Sequence, residues 1–228
     1  PTSLNTHLLS AFARSKNSAF ENSTTERGKR LDGAGGKVFR VLAIMKKPHV
    51  LLGVTGSIAA YKAAELVRLM KAREWDVSVV LTRAAAEFVT ELTFRTLSQN
   101  PVALDMFAER ETWRPEHIAL AERADVFLVA PCTANVLAKL AHGLADDLLT
   151  CAALATRAPL LVAPAMNEKM WDHPATQANV RTLRERGARV LEVAEGGLAC
   201  GYEGRGRLAP LETILQAVTE ALHKEAST

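Results

Sequence analysis

From His49 onward, short apolar runs alternate with longer amphipathic segments. HVLLGVT (49–55), DVSVVLT (76–82), ADVFLVAP (124–131) and APLLVAPA (158–165) are brief, rich in β-branched residues and end in turn or cap residues, which predicts buried strands; ARVLEVA (188–194) predicts a further one. Between them, SIAAYKAAELVRLMKARE (57–74), TANVLAKLAHGLA (133–145) and the segment near Thr176 to Arg186 space their apolar residues as helices do, and RPEHIALAERAD (114–125) predicts a short amphipathic helix. Strands alternating with helices of this length imply an α/β domain with a parallel sheet covered on both faces, in which ligands bind beyond the carboxyl ends of the strands.

Residues 1 to about 46 lack this periodicity and are rich in Ser, Asn, Thr, Gly and basic residues, so the chain divides into a flexible leader (1–46) and a folded domain (47–228). Three origins fit the leader. Leu4 to Phe20 is basic, contains Ser and is free of acids, as an organelle presequence is; Met45 would serve as a natural start, making the leader upstream sequence; or the segment is a helix that packs on a partner subunit.

The strand exits carry residues that a plain connection does not need. In GVTGSIAAYK (53–62) Gly56 permits a tight turn and Ser57 opens a helix, where free amides and a hydroxyl suit a phosphate; a simple N-cap explains Ser57 equally well. The spacing is neither GxGxxG nor a P-loop, which favours a mononucleotide over a dinucleotide. Thr82 ends its strand as a cap would. In APCTANVLAKLAHGLADDLLT (130–150) Thr133 and Asn135 bring polar groups to a helix start, and Asp146 and Asp147 complement the dipole of the next helix. His117 is either a satisfied histidine or a base. In PAMNEKMW (164–171) Asn167 is an N-cap or an amide turned to a ligand, while Met166, Met170 and Trp171 are core or an apolar wall. EGGLACGYEGRGRLAP (195–210), with Gly196, Gly197, Gly201, Gly204 and Gly206, predicts a long flexible loop of lid composition that carries Cys200, Arg205 and Arg207.

Charge narrows the partners. Through Lys47 there are nine Lys/Arg against three Asp/Glu, and thereafter 19 against 22, so the basic excess sits in the leader and the domain gives no electrostatic case for nucleic acid. Cys132, Cys151 and Cys200 are scattered and include no CxxC, which excludes a disulfide framework and a zinc site and fits a reducing, cytoplasmic setting. No apolar run approaches the roughly 20 residues that cross a bilayer.

Taken together, G-S-I after the first strand, His117 ahead of a strand ending in AP, T-A-N after it, PAMNEKMW and ACGYEGRGR resemble the flavin-containing cysteine decarboxylases, and within them the branch acting on phosphopantothenoylcysteine. The resemblance covers about residues 48 to 222. It implies a Rossmann-like three-layer fold of the flavoprotein decarboxylase type, and a homo-oligomer, a trimer or a multiple of trimers, with FMN at a subunit interface. By resemblance Gly56, Ser57 and Ile58 contact the FMN phosphate region, Thr82 lines the flavin site, and Thr133, Ala134, Asn135, Val136 and Ala165 contribute. His117, Asn167 and Cys200 match the catalytic histidine, the substrate-binding asparagine and the flap cysteine, with Met170 and Arg207 on the substrate side. Leu208 stands where some members carry Met. Gly197 or Leu198 stands where some eukaryotic members carry a basic residue, so that substrate-phosphate contact does not transfer. Bacterial members are often fused to a ligase that makes the substrate, which makes a separate ligase a candidate partner.

The implied reaction is FMN-dependent decarboxylation of 4'-phosphopantothenoylcysteine to 4'-phosphopantetheine in coenzyme A biosynthesis. Direct loss of the carboxylate would leave an unstabilised carbanion; oxidation of the thiol to a thioaldehyde lets carbon dioxide leave with its electrons delocalised into an enethiolate. Asn167 would orient the carboxylate without clamping it ionically, since tight ground-state binding would oppose its departure. His117 would act as base or electrostatic partner, and Cys200 would protonate the enethiolate. Three rivals share the fold: a peptidyl-cysteine decarboxylase, against which the ACGYEGRGR loop argues; a flavin prenyltransferase, against which PAMNEKMW argues; and a non-enzymatic regulatory flavoprotein, in which the catalytic set is often altered.

Overall fold

In the first strand Val50, Leu52 and Val54 point to one side and Leu51 to the other, and all four are fully buried, so this strand is covered on both faces. The computed structural model describes residues 47–107, 114–197, 201 and 203–225. Six parallel strands, β1 (His49–Val54), β2 (Asp76–Leu81), β3 (Val102–Ala103), β4 (Val126–Cys132), β5 (Leu160–Pro164) and β6 (Arg189–Val190), lie in the order β3-β2-β1-β4-β5-β6. The helices are α1 (Ala60–Ala72), α2 (Arg83–Ala86), α3 (Glu91–Ser98), α4 (Glu116–Arg123), α5 (Ala134–His142), α6 (Leu148–Ala155), α7 (Glu168–Asp172), α8 (Pro174–Glu185) and α9 (Leu211–Glu225).

The alternation divides the core in two. Val50, Leu52, Val126 and Leu128 meet Leu66, Val67 and Met70 of α1, Phe94 of α3 and Ile214, Leu215 and Val218 of α9. Leu51, Phe127 and Val129 meet Leu137 of α5, Leu148 and Leu149 of α6 and Val180 and Leu183 of α8. This is the expected three-layer α/β fold with a parallel sheet. Among the described residues no helix is long and apolar enough to cross a membrane.

The strand order reverses between β1 and β4, parallel neighbours whose chains lead to opposite edges of the sheet, and a crevice opens beyond their carboxyl ends. Buried Thr55 ties the two exits together: its hydroxyl donates to the Pro131 carbonyl at 2.7 Å and accepts from the Thr133 amide at 3.0 Å.

Three local expectations change. Helix α1 starts at Ala60 rather than Ser57, because residues 55–60 form a turn in which Ser57 N donates to Thr55 O and Ala60 N to Ser57 O. ARVLEVA divides: Arg189 and Val190 join the sheet, and Ala194 already belongs to a separate antiparallel hairpin of β7 (Ala194–Gly197) and β8 (Glu203–Arg207). Half of the expected glycine-rich loop is therefore strand, with a register slip of one residue at Gly206, whose φ of 122° only glycine adopts readily.

Candidate active site

The strand exits supply caps first. Thr82 accepts from Ala85 N at 3.1 Å at the start of α2, and Thr133 accepts from Val136 N at 3.4 Å at the start of α5. Asp147 caps α6 in a reciprocal capping box with Thr150. Asn167 Oδ1 accepts from Lys169 N at 2.9 Å at the start of α7. Asn167 is thus a helix cap, one of the two readings its sequence position allowed, and it also stands on a cavity wall.

These exits border two adjoining cavities. One, of about 540 Å³, is lined by Gly56, Ser57, Ile58, Thr133, Ala134, Ala165, Asn167, Met170, Arg207 and Leu208 among others. The other, of about 670 Å³, is lined by Thr82, Asn135 and Val136 and shares Gly56, Thr133, Ala134 and Met170 with the first. Both volumes suit a drug-sized ligand. Gly56 is required where they join: a Cβ there would lie 2.5 Å from the Ala84 Cβ. Every residue expected to hold FMN thus lies on the wall of one cavity or the other, as do Asn167, Met170 and Arg207. The walls fit such a group: bare backbone at Gly56, hydroxyls of Ser57, Thr82 and Thr133 at turn and helix starts for a phosphate, and Ile58, Met166, Met170 and Leu208 for a flat ring.

Two expected residues stand apart. His117, half-buried in the first turn of α4, lines neither cavity. Cys200 lies outside the described residues. The other thiols are poor stand-ins for it. Cys132 is fully buried, and burial pushes its pKa far up; Cys151 is also raised, by burial and then by Asp147 and Asp146, and its thiol donates to Ala145 O at 3.3 Å.

The structure decides one open alternative. Trp171 is only 3% exposed and packs in the core with Val180 and Leu183, so it anchors the segment from behind, and this segment's part of the apolar wall is Met166 and Met170. Sequence reasoning also missed Lys139, which lines the second cavity and pairs with Asp146 at 2.7 Å and Asp147 at 3.4 Å. Its hydrogen bond to Asp146 chiefly raises its pKa, and the same bond lowers that of Asp146. The available signal was spacing: Lys139 is four residues after Asn135, one turn along the same helix face.

Residues 40–223 match the Flavoprotein family model. The chain is 46% identical over 175 residues to the probable phosphopantothenoylcysteine decarboxylase of Streptococcus mutans, covering 76% of this chain and 98% of that protein. It is 44% identical over 184 residues to the coenzyme A biosynthesis bifunctional protein CoaBC of Bacillus subtilis, covering 81% of this chain but only 45% of that longer protein. Among solved structures, a PPC decarboxylase variant complexed with pantothenoylaminoethenethiol matches with a TM-score of 0.69 at 35% identity, over 76% of this chain and 97% of the other. The FMN-dependent cysteine decarboxylase SpaF matches with a TM-score of 0.68 at 31% identity, over 78% and 97%. With the site's geometry and the family match over most of its length in agreement, this chain belongs to the Flavoprotein family.

Proposed function

We propose that residues 47–228 form an FMN-binding decarboxylase domain that converts 4'-phosphopantothenoylcysteine to 4'-phosphopantetheine and carbon dioxide in coenzyme A biosynthesis, with 1–46 a leader outside it. The carrying observation is that Asn167, Met170 and Arg207 share one cavity wall with Gly56, Ser57 and Thr133, so groups for a small anionic substrate adjoin groups for a mononucleotide. The named activities of the relatives support the same reaction.

In balance, the bond between the cysteine α-carbon and its carboxylate breaks, the electron pair stays on carbon and a proton takes the vacated place. When bound, FMN supplies a two-electron acceptor and donor, which allows passage through thioaldehyde and enethiolate stages. Asn167 donates to the carboxylate and orients it, while Met166 and Met170 keep water from solvating it. Arg207 attracts the substrate's negative charge. Cys200 returns a proton to the enethiolate. Replacing Cys200 by Ser should leave decarboxylation intact but release an enethiol; formation of the full thiol product by that variant would remove the assignment.

The active form is a trimer or a multiple of trimers. Ile58, Tyr61, Phe107 and Met170, each about half or more exposed, surround the cavities and are the apolar surface a neighbouring copy would cover. His117, off the cavity wall of its own chain, then acts in the site of a neighbour. A small-molecule substrate and a separate ligase that makes it are the remaining partners. The deciding experiment is purification, an absorption spectrum, and carbon dioxide release from 4'-phosphopantothenoylcysteine. A yellow protein that releases it supports the reading; a colourless protein that FMN does not reconstitute overturns it.

A further inference from the structure

The β7–β8 hairpin rests directly on the segment that carries Asn167. Met166 N donates to Gly206 O at 2.9 Å, and Arg205 N donates to the Glu168 carboxylate at 3.3 Å. The glycines between mark the closeness: a Cβ at Gly204 would lie 2.8 Å from Glu168 Oε2, and one at Gly206 would lie 2.3 Å from Met166 O. Positions 204 and 206, alternate residues of one strand, therefore press on 166–168. Arg207, the next residue, lines the same cavity as Asn167. A carboxylate in the first turn of α7 also complements that helix's dipole, but α7 has only five residues and the contribution is small.

We propose that Glu168 is a positioning residue: its carboxylate latches β8 to the Asn167 segment and thereby sets Arg207 and Asn167 at a fixed separation for a substrate with two anionic groups. The substrate's identity rests on the decarboxylase reading; the latch does not. Glu168 acts through an acceptor oxygen, so Glu168→Gln keeps the latch and Glu168→Ala removes it. Gly204→Ala pushes the carboxylate aside while Glu168 is still present, and does nothing further once Glu168 is Ala.

The test uses the FMN-loaded full chain without substrate, with amide hydrogen exchange followed at 203–207. Loss of one hydrogen bond should speed exchange at Arg205 by roughly two- to tenfold in Glu168→Ala and Gly204→Ala, with Glu168→Gln close to the wild type. The double variant should match Glu168→Ala alone. In turnover of phosphopantothenoylcysteine, KM should rise by a similar factor in the two latch-breaking variants while kcat stays within about twofold, as expected when uniform binding is lost. Unchanged exchange in Glu168→Ala, an equal effect of Gly204→Ala in both backgrounds, or a fall in kcat at constant KM each overturns the latch. If the wild type does not turn the substrate over, the decarboxylase reading fails and the exchange data still decide the latch.

Discussion

The two ends of the sheet are built on opposite plans. At the amino end, His49 is 1% exposed yet both ring nitrogens have partners, Ser78 Oγ at 2.9 Å and Arg123 O at 3.1 Å. Asp76 there accepts from Asn100 Nδ2 at 2.7 Å and pairs with Arg123, and the His49 amide donates to Asp125 at 2.7 Å. At the carboxyl end the same strands stop on Gly56, Thr82, Thr133 and Asn167, whose polar groups cap short turns and border cavities. One end closes its polar groups on each other and holds the fold together; the other spends them on helix starts and keeps open walls for a ligand. Substitutions at the two ends should therefore separate stability from function.

The largest separation is expected at His117. Its replacement by Asn should leave a folded, yellow protein whose carbon dioxide release falls by about 10²- to 10⁴-fold, the usual worth of a general acid or base. Thermal unfolding should move little, because the side chain is half-buried near a helix start and belongs to neither core cluster. Near-normal turnover would return His117 to an ordinary surface role.

The reverse pattern is expected at Ser78. Its replacement by Ala strands the buried His49 Nε2, at a cost of about 1–3 kcal/mol in urea unfolding, with turnover per folded molecule unchanged. Lost turnover at full stability would show that the amino end reaches the site, and the contrast between the ends would break.

Thr133 tests where the division is least clean. Thr133→Ala removes the α5 cap, worth about 1 kcal/mol of stability. It should also weaken FMN binding about tenfold, the scale of one hydrogen bond to a charged group, measured by flavin fluorescence. Thr133→Ser should restore both. A stability loss with unchanged FMN affinity would make Thr133 a cap alone.

The same division explains what the sequence made legible. Buried parallel strands announce themselves as apolar runs, so β1, β2, β4 and β5 could be placed nearly to the residue, whereas β3 has only two residues and no periodicity to detect. The cavity-wall residues were legible because Ser, Thr and Asn at strand exits are few and each suggests a cap or a contact. Trp171 stayed open between core and cavity wall because neighbours in sequence do not say which face of a five-residue helix meets the core. The hairpin was missed because glycine composition speaks for a loop, while the need for Gly204 and Gly206 arises from segments about 40 residues away. Lys139 was hidden by its ordinary place in an amphipathic helix.

The smallest expected effect is the pH response of the closed end. Burial lowers the pKa of His49, and the Arg123 charge lowers it further; Asp76, the Arg123 carbonyl and Asp125 pull the other way without prevailing. In the unfolded chain the ring titrates near about 6.5, so between that value and the lower folded one the unfolded state binds more protons. The stabilisation is complete above the unfolded pKa and is lost as pH falls from there through the folded pKa. Asp76 acts in a separate, more acidic window: burial opposes its charge, but the Asn100 amide and the Arg123 guanidinium hold its carboxyl below the usual range, so its contribution fades only as pH falls through that value. The urea midpoint of the wild type should therefore fall between pH 7.5 and pH 5.5, and His49→Gln should flatten that slope. FMN affinity should change equally in both proteins over the same interval, because His49 and Asp76 line a separate cavity at the amino end and neither of the two at the carboxyl end. A slope that survives in His49→Gln would locate the titration elsewhere. A difference in FMN affinity would mean that the closed end and the open end share a proton-dependent equilibrium.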